Sequence, residues 1–244
     1  MNLAKNVTGG TTGRAAGLVP AGAGQPADAP RPEFAALAEV AVGHGPIGDI
    51  AAAPDRSALI VANHGDDSIS ILEPRDLAER ATVLLPGEPI GVAAAAGRVY
   101  VATTSAVYDA VSVVDTDRAM ILATYPLDLG ITAIGGDGGR IVVGQTGRGK
   151  TDLAIVDTTT GAVSAFALAT VAGVVVDAVH VSRDGRRVCV GLSDADGGEV
   201  QLMSGSRVPA RVAVESPIRD IALSPDGNIA YALVCGTGGA SLQI

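Results

Sequence analysis

Aromatic residues are almost missing from this chain of 244 residues: there are four Tyr, two Phe and no Trp. Sugars and single-stranded nucleic acids are bound by stacking on such rings, so both are disfavoured as ligands. Positive charge is also scarce. Lys and Arg number 17 against 26 Asp and Glu, a net charge of −9. Nucleic acids and anionic membranes reward Lys/Arg patches, so neither is an expected partner. Two cysteines make no disulfide framework and match no zinc spacing. No apolar run approaches the roughly 18 residues of a membrane span. Lys5 and Arg14 are followed only by the short, broken stretch Gly17–Ala21, which makes a poor signal peptide. The default compartment is therefore the cytoplasm, with export as the alternative.

What is present is hydrophobic, 48% of the chain, and the core must come from Val, Ile, Leu and Ala. These residues recur in a unit. A strand beginning at Ile47, Ile90, Ile131, Val176 or Ile218 leads each time through a turn into a second apolar strand. The five anchors lie 43, 41, 45 and 42 residues apart. A WD40-like period of about 40–45 with several short strands per unit is the mark of a β-propeller blade. Each unit offers four runs, a to d. In the first unit they are Ile47–Ala52, Leu59–Asn63, Ser68–Leu72 and Ala81–Leu85, joined by turn formers such as Pro54-Asp55 and Glu73–Asp76. Runs such as Ile141-Val142-Val143 do not alternate with polar residues, as expected of sheets buried on both faces. Small residues in strand a (Ala51, Ala52, Ala93, Ala94, Gly135) fit the crowded middle of a ring.

The expected fold class is all-β, a propeller of four-stranded antiparallel blades. Residues 1–33, rich in Gly, Ala and Pro, read as a flexible tail, and 34–244 as the propeller. The blades fall at about 46–86, 89–128, 130–169, 174–215 and 217–244. The last unit lacks a strand d, while Phe34–Val42 reads as a strand d without a unit. Two arrangements follow. Either the N-terminal strand completes the last blade and closes a five-bladed ring without a free edge, or the chain is a fragment of a larger, seven-bladed propeller. Cys189 aligns with Tyr231 and Cys235 with Ser193, about four positions out of register. Two buried free thiols, rather than a bridge, are expected.

Ile221-Ala222-Leu223-Ser224-Pro225-Asp226-Gly227, Tyr100-Val101-Ala102-Thr103, Ala110–Thr116 and Leu153–Thr158 together resemble the YVTN-type, lactonase-like bacterial β-propellers. The resemblance covers about Phe34–Ile244. It implies the propeller fold, usually with seven blades, and a superfamily that includes lactone hydrolases and surface-layer proteins.

Four groups of residues could carry chemistry. Gly144–Thr151 fits the phosphate-binding pattern G-x-x-x-x-G-K-[ST], but a strand and a Thr-rich turn follow it. A helix, whose amides would complete a phosphate nest, does not. The bland reading is a hairpin loop; a weaker alternative is anion binding by Arg148 and Lys150. The b-to-c loops carry acids on one face of the ring: Asp66, Asp67, Asp109, Asp152, Asp194 and Asp196. His44, His64 and Glu88 lie on the same face. His44, His64, Asp66 and Asp67 could hold a divalent cation such as calcium, although Asp is also the common turn residue. Asp49 and Asp220 occupy one position of strand a beside the channel, where they could bind ligand, serve as acid and base, or bond backbone amides. His180 reads as a packed core histidine. No nucleophile elbow is present. The expected function is a non-enzymatic scaffold that binds a protein or small ligand on its loop face, with no cofactor. The alternative is a lactonase-like, metal-dependent hydrolase.

Overall fold

The computed structural model describes residues 39–243, except 96, 129, 137–138, 148, 170–172, 206 and 237–238. The expected tail, residues 1–33, lies outside the described residues, as does Arg148. Every regular element among the described residues is a β-strand. The first blade is β1 (Ile47–Ala52), β2 (Leu59–Asn63), β3 (Ser68–Leu72) and β4 (Glu79–Leu84). The second is β5 (Glu88–Ala95), β6 (Arg98–Thr104), β7 (Asp109–Asp115) and β8 (Met120–Leu127). The third is β9 (Ile131–Gly136), β10 (Arg140–Gly147), β11 (Lys150–Asp157) and β12 (Val163–Ala169). The fourth is β13 (Val175–Val181), β14 (Arg187–Ser193), β15 (Gly198–Ser204) and β16 (Arg207–Val214). The fifth has β17 (Ile218–Leu223), β18 (Ala230–Gly236) and β19 (Gly239–Gln243). Strands in each sheet follow chain order and pair antiparallel.

The turns follow from local chemistry. In Ser224-Pro225-Asp226-Gly227, the Ser224 hydroxyl donates to Asp226 Oδ1 at 2.6 Å, and the same carboxylate accepts the Asn228 amide. Gly227 takes the left-handed conformation, φ 67°, that a side chain resists. The Ser224 bond, with further help from Asn228, holds the Asp226 carboxyl down at about 2. Ser182 and Asp184 repeat this turn one blade earlier.

Blades pack face to face in sequence, with β1, β5, β9, β13 and β17 successive neighbours. Between the first two lie Ile60, Ile69 and Ile71 against Val92, Val99 and Val101. Val142 and Leu153 meet Val176, Val190 and Met203 between the third and fourth. Middle strands are therefore buried along nearly their whole length, as in β6 and β7, which accounts for their unbroken apolar runs. Each buried Val, Ile or Leu contributes about 1.5–3 kcal/mol relative to exposure.

The fifth blade shows three strands among the described residues, and β19 pairs only with β18. The expected strand over Phe34–Val42 needs correction where it can be seen. Residues 39–42 are not in a strand, and 34–38 lie outside the described residues. Beside this segment His44 is bonded to Asp66 of the first blade. No strand packing comparable to that between neighbouring blades joins β17 to β1 among the described residues. Ile47, Ile50 and Leu84 of the first blade, and Leu233 and Leu242 of the fifth, are exposed.

Glycine sets how closely the blades approach. A Cβ at Gly135 would lie 2.7 Å from the Val179 carbonyl oxygen of the next blade, and one at Gly191 would lie 2.9 Å from Ile218 Cγ2. The obstacle at Gly135 is backbone, which cannot swing aside. Gly135→Ala should therefore destabilise the fold by about 1–3 kcal/mol through overpacking. For a chain of this size that lowers the melting temperature by a few degrees, measurable by calorimetry.

Candidate functional site

The loop face is built from the b-to-c and d-to-a loops, and polar groups beside it clasp one blade to the next. Asp49 Oδ1 accepts its neighbour's amide, Ile50, and Oδ2 accepts the Val92 amide of the second blade at 2.9 Å. Asp109, 2% exposed, accepts the Gly130 and Ile131 amides of the third blade through one oxygen, at 2.8 and 2.9 Å. Thr146 Oγ1 accepts the Val176 amide, and Ser193 Oγ the Ile218 amide. Asp220, at the β17 position equivalent to Asp49, accepts the Ile221 amide through Oδ1.

The Gly144–Thr151 octet forms a hairpin. β10 and β11 pair directly through Thr146↔Thr151 and Gly147↔Lys150. The Lys150 ammonium donates to Asp152 Oδ2 at 2.9 Å. This hairpin walls a cleft of about 160 Å³ between the second and third blades. Gln145 donates to the Asp128 carbonyl at 2.7 Å on its floor. Val107 and Tyr108 stand at its lip, largely exposed. Their loop is held by Ser105, whose hydroxyl donates to the Tyr108 carbonyl and accepts the Val107 and Tyr108 amides.

The two histidines of the first blade engage different carboxylates. His44 Nδ1 lies 2.6 Å from Asp66 Oδ2, and its Nε2 lies 3.8 Å from Glu79 Oε2. His64 Nε2 is 3.1 Å from Glu88 Oε1, while its Nδ1 faces the Pro89 carbonyl at 3.4 Å. Asp67 is an exposed turn residue with φ 46°, and its carbonyl accepts the Leu85 amide. The structure thus brings His44 to Asp66 but does not assemble His44, His64, Asp66 and Asp67 into one ligand set. Among the described residues no group of three or more His, Cys, Asp or Glu is placed to hold a metal ion.

His180 is half-buried in β13, and burial pushes its pKa below the ordinary 6.5, opposed by the charge of Asp220. Asp177, in the same strand, is pushed up by burial, against a hydrogen bond from Ser193 and the charge of Arg219. Both cysteines are free. Cys189 is buried, its thiol pushed up to about 11 by burial, whereas Cys235 is half-buried rather than buried. Sequence reasoning missed Tyr108, Gln145 and Gln201. The two glutamines carried a signal, a polar residue inside an apolar strand run.

No family model matches the chain. A Mycobacterium tuberculosis protein named seven-bladed beta-propeller protein is 33% identical over 83% of this chain. A Mycolicibacterium smegmatis protein of the same name is 46% identical over 23% of this chain and 15% of its own length. The chain spans 61% of the length of the M. tuberculosis relative. Among solved structures, the hydrazine synthase of Kuenenia stuttgartiensis aligns with a TM-score of 0.68 at 20% identity, over 83% of this chain and 59% of that one. The Dos1 propeller aligns at 0.60 and 12% identity, over 78% of this chain and 54% of its own. The structural likenesses show the fold, and with the mycobacterial relative they support a bacterial β-propeller family.

Two predictions follow from the clasps and from His180. Asp109→Ala leaves the buried Ile131 amide and the half-buried Gly130 amide without an acceptor and should cost about 1–3 kcal/mol, read from denaturant unfolding. Asp109→Asn, which keeps an oxygen acceptor, should cost less. The folded-state pKa of His180 is depressed, so below pH 6.5 the unfolded chain binds its proton more readily than the folded chain does. That contribution to stability is complete above pH 6.5 and is lost as pH falls from 6.5 through the lowered folded-state value. In the mildly acidic range the stability of His180→Gln should therefore depend less steeply on pH than that of the unaltered chain.

Proposed function

We propose that this protein is a non-enzymatic β-propeller scaffold that binds a small ligand, or a protein side chain presented like one, on its loop face. The observation that carries this reading is the cleft between the second and third blades. A preorganised apolar lip, Val107 and Tyr108 fixed by Ser105, stands over a polar floor of Gln145 and the Lys150–Asp152 pair. Binding sites commonly combine an aromatic anchor with a few oriented polar groups. A rigid loop also lowers the entropic cost of association. Lys150 enters this proposal as a polar contact, consistent with the anion-binding alternative for the hairpin.

No cofactor forms part of the proposal. The competing function is a lactonase-like hydrolase with a divalent cation such as calcium near His44 and Asp66. The channel carboxylates Asp49 and Asp220 are less suited to ligand binding than the cleft, because Asp49 already accepts two backbone amides and Asp220 one.

A thermal-shift screen of small polar and aromatic compounds, run with calcium and with EDTA, tests the reading. Ligands of the cleft should raise the melting temperature by mass action, equally in calcium and in EDTA. Tyr108→Ala, at an exposed position, should abolish the shift without lowering the melting temperature of the free protein. Stabilisation that requires calcium, joined to lactone hydrolysis, would transfer the assignment to the metal enzyme. Shifts indifferent to Tyr108→Ala would remove the cleft from the proposal.

A further inference from the structure

A second groove, of about 390 Å³, opens on the loop face between the third and fourth blades. Its apolar wall is Leu168, Val174 and Leu192, and its charged rim is Asp194, Asp196, Glu199 and Arg211. Acids in such loops are ordinary, and Asp194 is engaged by the Asp196 and Gly197 amides of its own turn. The informative residue is Gln201, which also lines the groove and is 1% exposed. Its Nε2 donates to Glu199 Oε1 at 2.6 Å, while its Oε1 is buried without a partner. Turning the amide over would set an oxygen against the Glu199 carboxylate, so the network fixes Oε1 as the stranded acceptor.

Nothing in the packing demands an amide there. Met203, two residues along the same strand, is buried and fills the junction of the same two blades. Arg211 stands across the ladder from Gln201, but its guanidinium is directed to Glu199 at 3.9 Å. A buried carbonyl oxygen left unpaired is unfavourable, and native structures seldom leave one without a reason.

We propose that this groove binds a small aliphatic amine. Its ammonium group donates to Gln201 Oε1 and Glu199, and its alkyl chain lies against Leu168, Val174 and Leu192. An ammonium carries three donors and no acceptor, which matches two neighbouring acceptors. Three carboxylates against one guanidinium favour a cation and repel a carboxylate ligand. An alcohol of the same length would satisfy Gln201 but leave the acidic charge uncompensated. The volume falls in the range of about 300–1,000 Å³ usual for small-molecule sites.

Calorimetric titration of the full chain with n-hexylamine at low salt, with hexanol and hexanoate for comparison, tests the proposal. Hexylamine should saturate a single site, hexanol should bind at least about tenfold more weakly, and hexanoate should not bind. Gln201→Met keeps the side-chain length and removes the stranded polar group, so the fold should hold, as its melting temperature will report. It should weaken hexylamine at least about tenfold, as should Glu199→Gln at the exposed rim. Lys150→Ala, in the other cleft, should leave binding unchanged. Failure of hexylamine to saturate, undiminished binding by folded Gln201→Met, or equal binding of hexanoate would overturn the proposal.

Discussion

The seam between neighbouring blades is the constraint on which the rest of the structure depends. Each sheet of a propeller must be apolar on both faces, and the two faces must meet at a wedge that narrows toward the innermost strands. The chain meets the first demand with runs of Val, Ile, Ala and Tyr in β6, β7 and the first half of β10. It meets the second with residues that have little or no side chain, such as Gly135 against the Val179 carbonyl and Gly191 against Ile218. Each seam also carries a polar clasp to an amide of the next blade: Asp49, Asp109, Thr146 and Ser193. The apolar contacts supply most of the energy, since several buried Val and Ile per seam outweigh any one hydrogen bond. The clasps supply register, because an amide left without an acceptor in the seam penalises a shifted docking.

This division of labour decides which polar residues remain for binding. A carboxylate has two oxygens, and in this chain many are already engaged with backbone. Asp55, Asp115, Asp157, Asp184 and Asp226 all hold turns, and their pKa values are lowered by those bonds. These acids sit in the a-to-b and c-to-d turns, opposite the loop face, and that side is therefore less reactive than its composition suggests. The groups free to meet a ligand lie where the wedge opens outward between blades, at the junction of second and third and of third and fourth. There the core has ended but water is still partly excluded, so side chains that are half apolar and half polar are tolerated.

The periodicity made the blades legible because the core repeats. Strands a and b fell where the anchors placed them, and the strand that continues from the octet marked it as a hairpin rather than a phosphate loop. Tertiary partners were less legible. Nothing local to Asp109 indicates that its carboxylate caps amides 21 and 22 residues downstream, although its place in a b-to-c loop was readable. The proximity of His44 and His64 in one blade suggested a shared cation, but each imidazole found its own carboxylate. Cys235 was expected to be buried, because strand b is. It lies near the strand end of the last described blade and is only half covered.

Gln201 shows how buried polarity can be read for function. Asn63, also buried and with its own Oδ1 unpaired, differs in that its amide donates to Ser68 and Ser70 within its own blade, a local network that helps fix a hairpin. Gln145 donates to a d-to-a loop carbonyl and so positions a loop. Gln201 donates to a rim carboxylate and aims no bond at backbone. Its amide positions neither turn nor loop, and its oxygen is left for a donor the fold does not provide. In a seam otherwise filled by Val, Leu and Met, a methionine would pack as well and strand nothing. An incoming donor gives the amide a purpose that packing alone does not.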